Sequence, residues 1–427
     1  MTLASELTLP CGAVLPNRLA KAAMTEGLAD PQGLPTPELT RLYEIWAQGG
    51  SGMLLSGNIQ IDADHLERPG NVIIDRELTE AERAKFHAWT AAGTANGNHF
   101  WAQISHAGRQ CFKMVNPRPK APSAVKLGIP GGQFGEPVAL EEDEIEAIID
   151  GFVRAVKTCK EVGFTGVQIH GAHGYLISQF LSPRTNQRSD KWGGSLENRA
   201  RLLTDVIRQS RTAVGPEFPI SVKLNSADFQ KGGFAFVESV TVVGWLEELG
   251  VDLIEISGGT YEQPKLLGVE GLEPAENPAV ASSTVAREAY FVDFAKAMKE
   301  ACKVPLMVTG GFRSKAAMEQ AIETDAADLI GLGRPLCADP DGPKSLLEGA
   351  SALPRYEDEL SLFPSFLNFL TGIKMLRAAA TFAVQFWFYG QIYSLGRTGE
   401  PDKGLSVFGA WMLVESTHRD WLKLRRG

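Results

Sequence analysis

Between residues 18 and 335 the chain repeats one rhythm eight times: a short apolar run bounded by Gly, Pro or Asn, then a longer stretch with helical periodicity. The runs fall at 18–24, 52–58, 99–105, 166–170, 220–225, 252–257, 305–310 and 328–333. Strands this short and this apolar belong to parallel sheets covered on both faces. The clearest helix is predicted over 141–160, where Ile145, Ile148, Ile149, Phe152 and Val156 recur at helical spacing. Its acidic first turn, from Glu141 to Glu144, suits the helix dipole, and Gly163 ends it. Ser195 is placed to cap a second helix over 196–214, ahead of Gly215-Pro216. Eight such units predict an α/β chain folded as a TIM (β/α)8 barrel over residues 1–350. A doubly wound sheet is the alternative, but no Gly-x-Gly-x-x-Gly turn follows an early strand.

Two segments fall outside the rhythm. Residues 3–16 read as an N-terminal hairpin plugging the barrel's N-terminal face. Residues 351–427 form a helical C-terminal extension rich in Phe, Trp and Tyr, expected to pack on the barrel or on a subunit interface. Within it, 378–395 carries no formal charge and is barely long enough to span a bilayer. Thr381, Gln385 and Tyr389 share one helical face there, which suits packing on protein better than lipid. Membrane association, or a lid over a hydrophobic substrate, is the alternative reading.

Net charge is −9, which argues against nucleic acid or an anionic membrane as a partner. The five cysteines are scattered, so neither a disulfide framework nor a cysteine-ligated cluster is expected. With no signal-peptide pattern in residues 1–10, the expected location is cytoplasmic.

Chemistry concentrates at the ends of the apolar runs. His170-Gly171-Ala172-His173-Gly174-Tyr175 follows the fourth, offering two donors for an oxyanion and a phenol for proton transfer. Gly310-Gly311 after the seventh run and Gly333-Arg334 after the eighth could expose amides and a guanidinium to a phosphate. Small residues before Thr25 would let a flat ring approach the first strand. Gln103, inside the third, needs partners that a heterocycle or a core amide contact would supply. Lys223, inside the fifth, either neutralises charge on a bound ring or pairs with Glu255.

Together these pieces resemble the Old Yellow Enzyme family of flavin-dependent ene-reductases. The resemblance spans about residues 5–345 and rests on Asn17-Arg18, Met24-Thr25, Gln103, His106-Ala107-Gly108-Arg109 and the 170–175 motif. It continues through Leu181-Ser182-Pro183, Asn186, Gly193-Gly194-Ser195 and Glu197-Asn198-Arg199 to the two glycine pairs. It implies FMN in the barrel mouth and NADH or NADPH as electron donor. Ala23, Met24 and Thr25 would line the ring, with the Thr25 hydroxyl near the flavin carbonyl. Gly57 and Gln103 would meet the pyrimidine edge, with Lys223 and His170 beside the cofactor. Gly310, Gly311, Gly333 and Arg334 would hold the phosphate. His170 and His173 would bind the carbonyl oxygen of an activated alkene, and Tyr175 would donate the proton. Tyr261 is a further candidate for contact with substrate, and Glu26, Gly27 and Phe312 are candidates for shaping the pocket.

Two positions depart from the family pattern. Lys223 stands where arginine is usual, giving a point charge without a planar fork. Ala23 stands where proline is common. No cysteine cluster follows the barrel, so the longer iron–sulfur members are disfavoured. The His170/His173 pair could instead ligate a metal, but a hydrolytic barrel would need further ligands at other strand ends, where the first run ends in Met24-Thr25 and the third lacks an inward acid, and no metal is expected.

The expectation is an NAD(P)H-driven oxidoreductase that reduces the C=C bond of α,β-unsaturated carbonyl compounds. A flavin oxidase or quinone/nitro reductase is the alternative, and a non-enzymatic flavin-binding redox module is the second. Expected partners are small molecules, the alkene and the nicotinamide. The sequence leaves NADH against NADPH open and allows a homo-oligomer.

Overall fold

The computed structural model describes residues 1–129, 132–257, 295–362 and 374–426, with the side chains of 374–379, 381 and 382 also outside the description. Eight parallel strands close into a barrel: β1 (Leu19–Lys21), β2 (Met53–Gln60), β3 (His99–Ser105), β4 (Gly166–Gly171), β5 (Ile220–Asn225), β6 (Leu253–Ser257), β7 (Leu306–Thr309) and β8 (Leu329–Leu332). β1 pairs with β8 on one side and with β2 on the other, which completes the ring. The first strand is shorter than its apolar run and the second runs on to Gln60.

Around the barrel lie α1 (Pro37–Gln48), α2 (Glu80–Gly93), α3 (Glu142–Glu161), α4 (Leu176–Leu181), α5 (Leu196–Val214), α6 (Phe236–Glu248) and α7 (Lys315–Glu323). The caps explain their starts. Thr79 and Glu82 form a capping box on α2, and Ser195 accepts the amide of Asn198 at the start of α5. On α3 the apolar positions Ile145, Ile149, Phe152 and Val156 are buried, as their spacing predicts.

Alternate strand residues divide between two cores. Leu54, Phe100, Ile104, Val167, Ile169, Val222 and Ile254 join the large core under the helices. Met53, Leu55, Trp101, Leu253, Met307 and Leu329 pack with Leu7, Leu9 and Leu15 of the N-terminal hairpin. The hairpin, Leu7–Thr8 with Val14–Leu15, thus joins the interior core. Nearer the C-terminal mouth, buried polar side chains take over: Gln103, Gln168, His170, Lys223, Asn225 and Glu255. A barrel that is apolar at its floor and polar at its mouth can hold a charged or heterocyclic ligand only at the mouth.

Two long helices follow the barrel, and with α8 given to Gly342–Leu347 they are α9 (Lys374–Thr398) and α10 (Val407–Arg426). Arg41 on α1 donates to the carbonyl of Gly396 at 2.7 Å, tying α9 to the first helix. α10 fastens onto the loops beyond the first three strands. Trp421 Nε1 donates to Ala29 O (3.0 Å), Arg425 to Pro31 O (3.1 Å) and Ala63 O (3.0 Å), and Arg426 to Met114 O (2.7 Å). No helix among the described residues is long and apolar enough to cross a membrane.

Candidate active site

β4 delivers His170 to the mouth, and the turn behind it brings back His173 and Tyr175. His173 has φ of +61°, a left-handed conformation rare for a side-chain-bearing residue, and it aims the second imidazole at the first. The ring centroids of His170 and His173 are 5.2 Å apart, and those of His170 and Tyr175 are 4.8 Å apart, both pairs edge to face. The sequence motif is therefore one cluster in space.

A backbone hydrogen bond assigns the tautomer of His170. The Ala172 amide donates to His170 Nδ1 (3.2 Å), leaving Nε2–H as the donor. The His173 amide is held by Asn225 Oδ1 at 3.1 Å, and its Nε2 meets the Ser257 hydroxyl on β6. Burial pushes both imidazoles below their ordinary range, His170 strongly and His173 to about 3, with the nearby Lys223 cation adding to each shift. Both rings are neutral at pH 7, and a neutral ring donates its one N–H without the charge of an imidazolium.

Lys223 stands opposite His170 on one side and Glu255 on the other in the strand register. Its Nζ lies 2.9 Å from Glu255 Oε1, and Gln168 Nε2 donates to Glu255 Oε2 at 2.9 Å. The lysine's charge is thus matched inside the barrel while it still acts on both histidines.

Tyr175 donates its phenol proton to Glu67 Oε2 at 2.7 Å. Glu67, in the loop after β2, also accepts from the Thr25 hydroxyl and from Asn58 Nδ2. Asn58 Oδ1 in turn accepts from Gln103 Nε2 at 2.7 Å. Sequence reasoning misses both Glu67 and Asn58. The only signal is an acidic residue in the loop directly beyond a barrel strand. Glu26, expected only to shape the pocket, accepts the Gly57 amide at 2.7 Å and the Tyr43 hydroxyl, and burial pushes its carboxyl upward.

Several features fit the residues expected to hold FMN. Gln103 Oε1 and Thr309 Oγ1 are buried without a hydrogen-bond partner among the described residues. A bound heterocycle would satisfy such atoms. A Cβ added at Gly333 would meet nothing nearer than Met24 Sδ at 3.8 Å, so there is room at the end of β8. Gly310 and Gly311 have φ of +126° and +79°, a turn that glycine adopts without strain. Arg334 is half-buried beside them, 5.9 Å from the Phe388 ring of α9. Ala23, Met24 and Thr25 are half-buried at the end of β1. The Gly57 amide and the Thr25 hydroxyl, by contrast, bond to Glu26 and Glu67. Tyr261 lies outside the described residues.

A second titratable cluster lies nearby: Asp62, His65 and His106, with ligand atoms within 4.8 Å of one another. Asp62 Oδ2 is 2.8 Å from His65 Nδ1 and 3.7 Å from His106 Nε2. His65 Nε2 accepts the Lys120 amide (2.8 Å), and His106 Nδ1 accepts the Gly108 amide (3.0 Å). Each ring spends one nitrogen on a backbone amide and turns the other toward the carboxylate, but only His65 is within hydrogen-bond reach of it; His106 Nε2 is buried without a hydrogen-bond partner among the described residues.

Comparison with known proteins matches residues 11–351 to the NADH:flavin oxidoreductase / NADH oxidase family. An NADH-dependent flavin oxidoreductase of Hypocrea jecorina is 38% identical over 366 residues, covering 80% of this chain and 88% of that one. A protein of the same description from Talaromyces variabilis is 33% identical over 417 residues, covering 93% and 99%. For another, from Neonectria sp., identity is 38% over 355 residues and 79% of this chain, which spans only 46% of that relative's length. Among solved structures, the old yellow enzyme homologue of Zymomonas mobilis superposes with a TM-score of 0.68 at 26% identity, covering 83% of this chain and 94% of that one.

Proposed function

Because the chain belongs to the NADH:flavin oxidoreductase / NADH oxidase family, that of the Old Yellow Enzyme, we propose that it uses FMN and NADH or NADPH to reduce the activated C=C bond of α,β-unsaturated carbonyl compounds. The observation that carries this reading is the clustering of two neutral imidazoles and a phenol at the end of β4. When bound, FMN supplies a hydride acceptor for the nicotinamide and a hydride donor for the β-carbon of the alkene.

The chain's own residues supply position and charge. His170 Nε2–H and His173 Nδ1–H, the latter with Nε2 accepting the Ser257 hydroxyl, donate to the substrate carbonyl oxygen, where negative charge develops. Tyr175 protonates the α-carbon. Gly310, Gly311, Gly333 and Arg334 hold the phosphate of the cofactor, Ala23, Met24 and Thr25 wall its ring, and Gln103 and Lys223 serve its pyrimidine edge. Gly57 supports that edge from behind, through Glu26. The partners are small molecules, a nicotinamide and an electron-poor alkene.

The test is spectroscopic. Purified protein with FMN should show a flavin band, lose it anaerobically with NADH or NADPH, and regain it on addition of 2-cyclohexenone. No flavin band would end the proposal. Recovery with oxygen or a quinone but not with the enone would make the protein an oxidase or quinone reductase. A band that neither nicotinamide bleaches would leave a flavin-binding module.

A further inference from the structure

Resting on that reading, we infer that Glu67 is the positioning residue of the proton-delivery step. Its carboxylate fixes the Tyr175 phenol in the site and ties it to the residues expected around the flavin.

Glu67 is 4% exposed, deep enough that its partners must satisfy it. Three donors from three places converge on it: the Thr25 hydroxyl beyond β1, Asn58 Nδ2 on β2 and the Tyr175 phenol beyond β4. Asn58 has no choice of orientation, because its Oδ1 is already taken by Gln103 Nε2 at 2.7 Å. A carboxylate accepts on both oxygens and donates from neither, which suits a residue ringed by donors. An amide in its place has one acceptor oxygen and would turn an N–H toward at least one of them. The carboxylate is the form that accepts from all three donors as they stand; an amide keeps Tyr175 only if the Thr25 hydroxyl turns to accept.

The arrangement also sets a direction. Gln103, Asn58, Glu67 and Tyr175 form one hydrogen-bonded chain from the barrel interior to the phenol. Behind Glu67, Arg68 lies under the Tyr389 ring of α9, 4.0 Å from guanidinium carbon to ring centroid, and its Nε is 3.6 Å from Glu67 Oε1. Tyr175 is thus held by a loop that the C-terminal helices back. When the phenol gives its proton to the α-carbon, a proton from water must replace it before the next turnover. Glu67 holds the oxygen while the phenol carries its proton, before delivery and again once water has restored it.

The experiment uses the full-length FMN-loaded protein with Glu67→Gln, Tyr175→Phe and both together. Reoxidation by 2-cyclohexenone and reduction by NADH are followed separately by stopped flow, and each variant is melted. Glu67→Gln should lower the limiting rate of enone reoxidation about tenfold or more, with the apparent enone affinity within about threefold of the parent. In the Tyr175→Phe background the same change should cost less than about twofold, because its target is gone. The two substitutions should also be non-additive in melting temperature, a readout independent of turnover. Should Glu67→Gln not fold, Glu67→Asp, which keeps the charge but shortens its reach, is read in the same cycle. A full reoxidation rate in the single variant, an equal loss in the Tyr175→Phe background, or equal slowing of both half-reactions would overturn the inference. If the parent protein is not reoxidised by the enone, the proposed function fails instead. The melting cycle then still decides whether Glu67 and Tyr175 act as a pair.

Discussion

The two sides of the candidate site are built differently. His170 and His173 are fixed by barrel strand ends and the turn between them: the Ala172 amide, Asn225 at the end of β5 and Ser257 at the end of β6. Tyr175 is fixed by Glu67, a loop residue whose neighbour Arg68 sits against a helix from the far end of the chain. Groups that belong to the closed sheet are difficult to move without damaging the core. A group held by a loop and a tail can be displaced while the barrel stands. The difference predicts that lesions in the supports of the histidines emerge chiefly as lost stability, and lesions in the supports of the tyrosine chiefly as lost rate.

The largest effect on the tyrosine side comes from Tyr175→Phe. Losing the general acid should slow enone-driven reoxidation by about 10²–10⁴-fold. Reduction by NADH, which needs no proton from the phenol, should stay close to the parent. Equal loss in both half-reactions would show that the phenol holds the site together rather than delivering a proton. On the histidine side, Lys223→Met takes the cation from Glu255, which is fully buried, and leaves it the amide of Gln168. Breaking a buried ion pair from one side should cost about 3–5 kcal/mol in denaturant unfolding. Glu255→Gln in the same chain should recover most of it. Unchanged stability in Lys223→Met would erase the distinction between the two sides.

That division also explains what the sequence can reveal. The histidines, the tyrosine and Lys223 stand on or just beyond apolar runs, so strand periodicity by itself places them at the mouth. The fold follows from the same periodicity, and the α5 boundaries agree with its Ser195 and Gly215 signals. Glu67 and Asn58 give no such signal. Glu67 lies in a loop whose course no period describes, and before Asn58, the last residue of its apolar run, a register shift after Leu55 breaks the alternation that would set its side. The Lys223–Glu255 pair is legible as one of two options because both residues sit inside strands. The grip of α10 on Ala29, Ala63 and Met114 is not, because the contacts are to backbone carbonyls, which carry no residue identity.

Buried histidines give a smaller effect that reports on both regions. His173 in the barrel and His418 on α10 are each pushed down to about 3 by burial, against an ordinary value of 6.5. Between those limits the unfolded chain binds a proton at each position and the folded chain does not. Stability is therefore full above about pH 6.5 and falls as the solution is acidified, by about 1.4 kcal/mol per pH unit for each group. Replacing His418 by Gln should remove one such increment from the slope measured by denaturant unfolding between pH 7 and pH 4.5. If the slope does not change, α10 releases from the loops before the barrel unfolds, and the tail is the weaker of the two regions.

The smallest change probes the contact between the tail and the tyrosine side. Tyr389→Leu keeps an apolar side chain on α9 but removes the ring that faces the Arg68 guanidinium at 4.0 Å. A cation–π contact of this kind is worth about 0.5–2 kcal/mol. Little of that should register as lost global stability, because α9 keeps Trp387 and Gln391 bonded to the turn before α10. It should register at Glu67, since Arg68 loses one of its contacts and the carboxylate 3.6 Å from its Nε is freer to turn. Enone-driven reoxidation should then slow by about two- to tenfold, with reduction by NADH unaffected. Among the described residues the hydrogen bonds to Ala172, Asn225 and Ser257 that fix the histidine rings do not run through Glu67 or Arg68. An unaltered reoxidation rate would mean that Thr25 and Asn58 hold Glu67 without help. The tail would then be a cover for the barrel and not a part of the proton-delivery side.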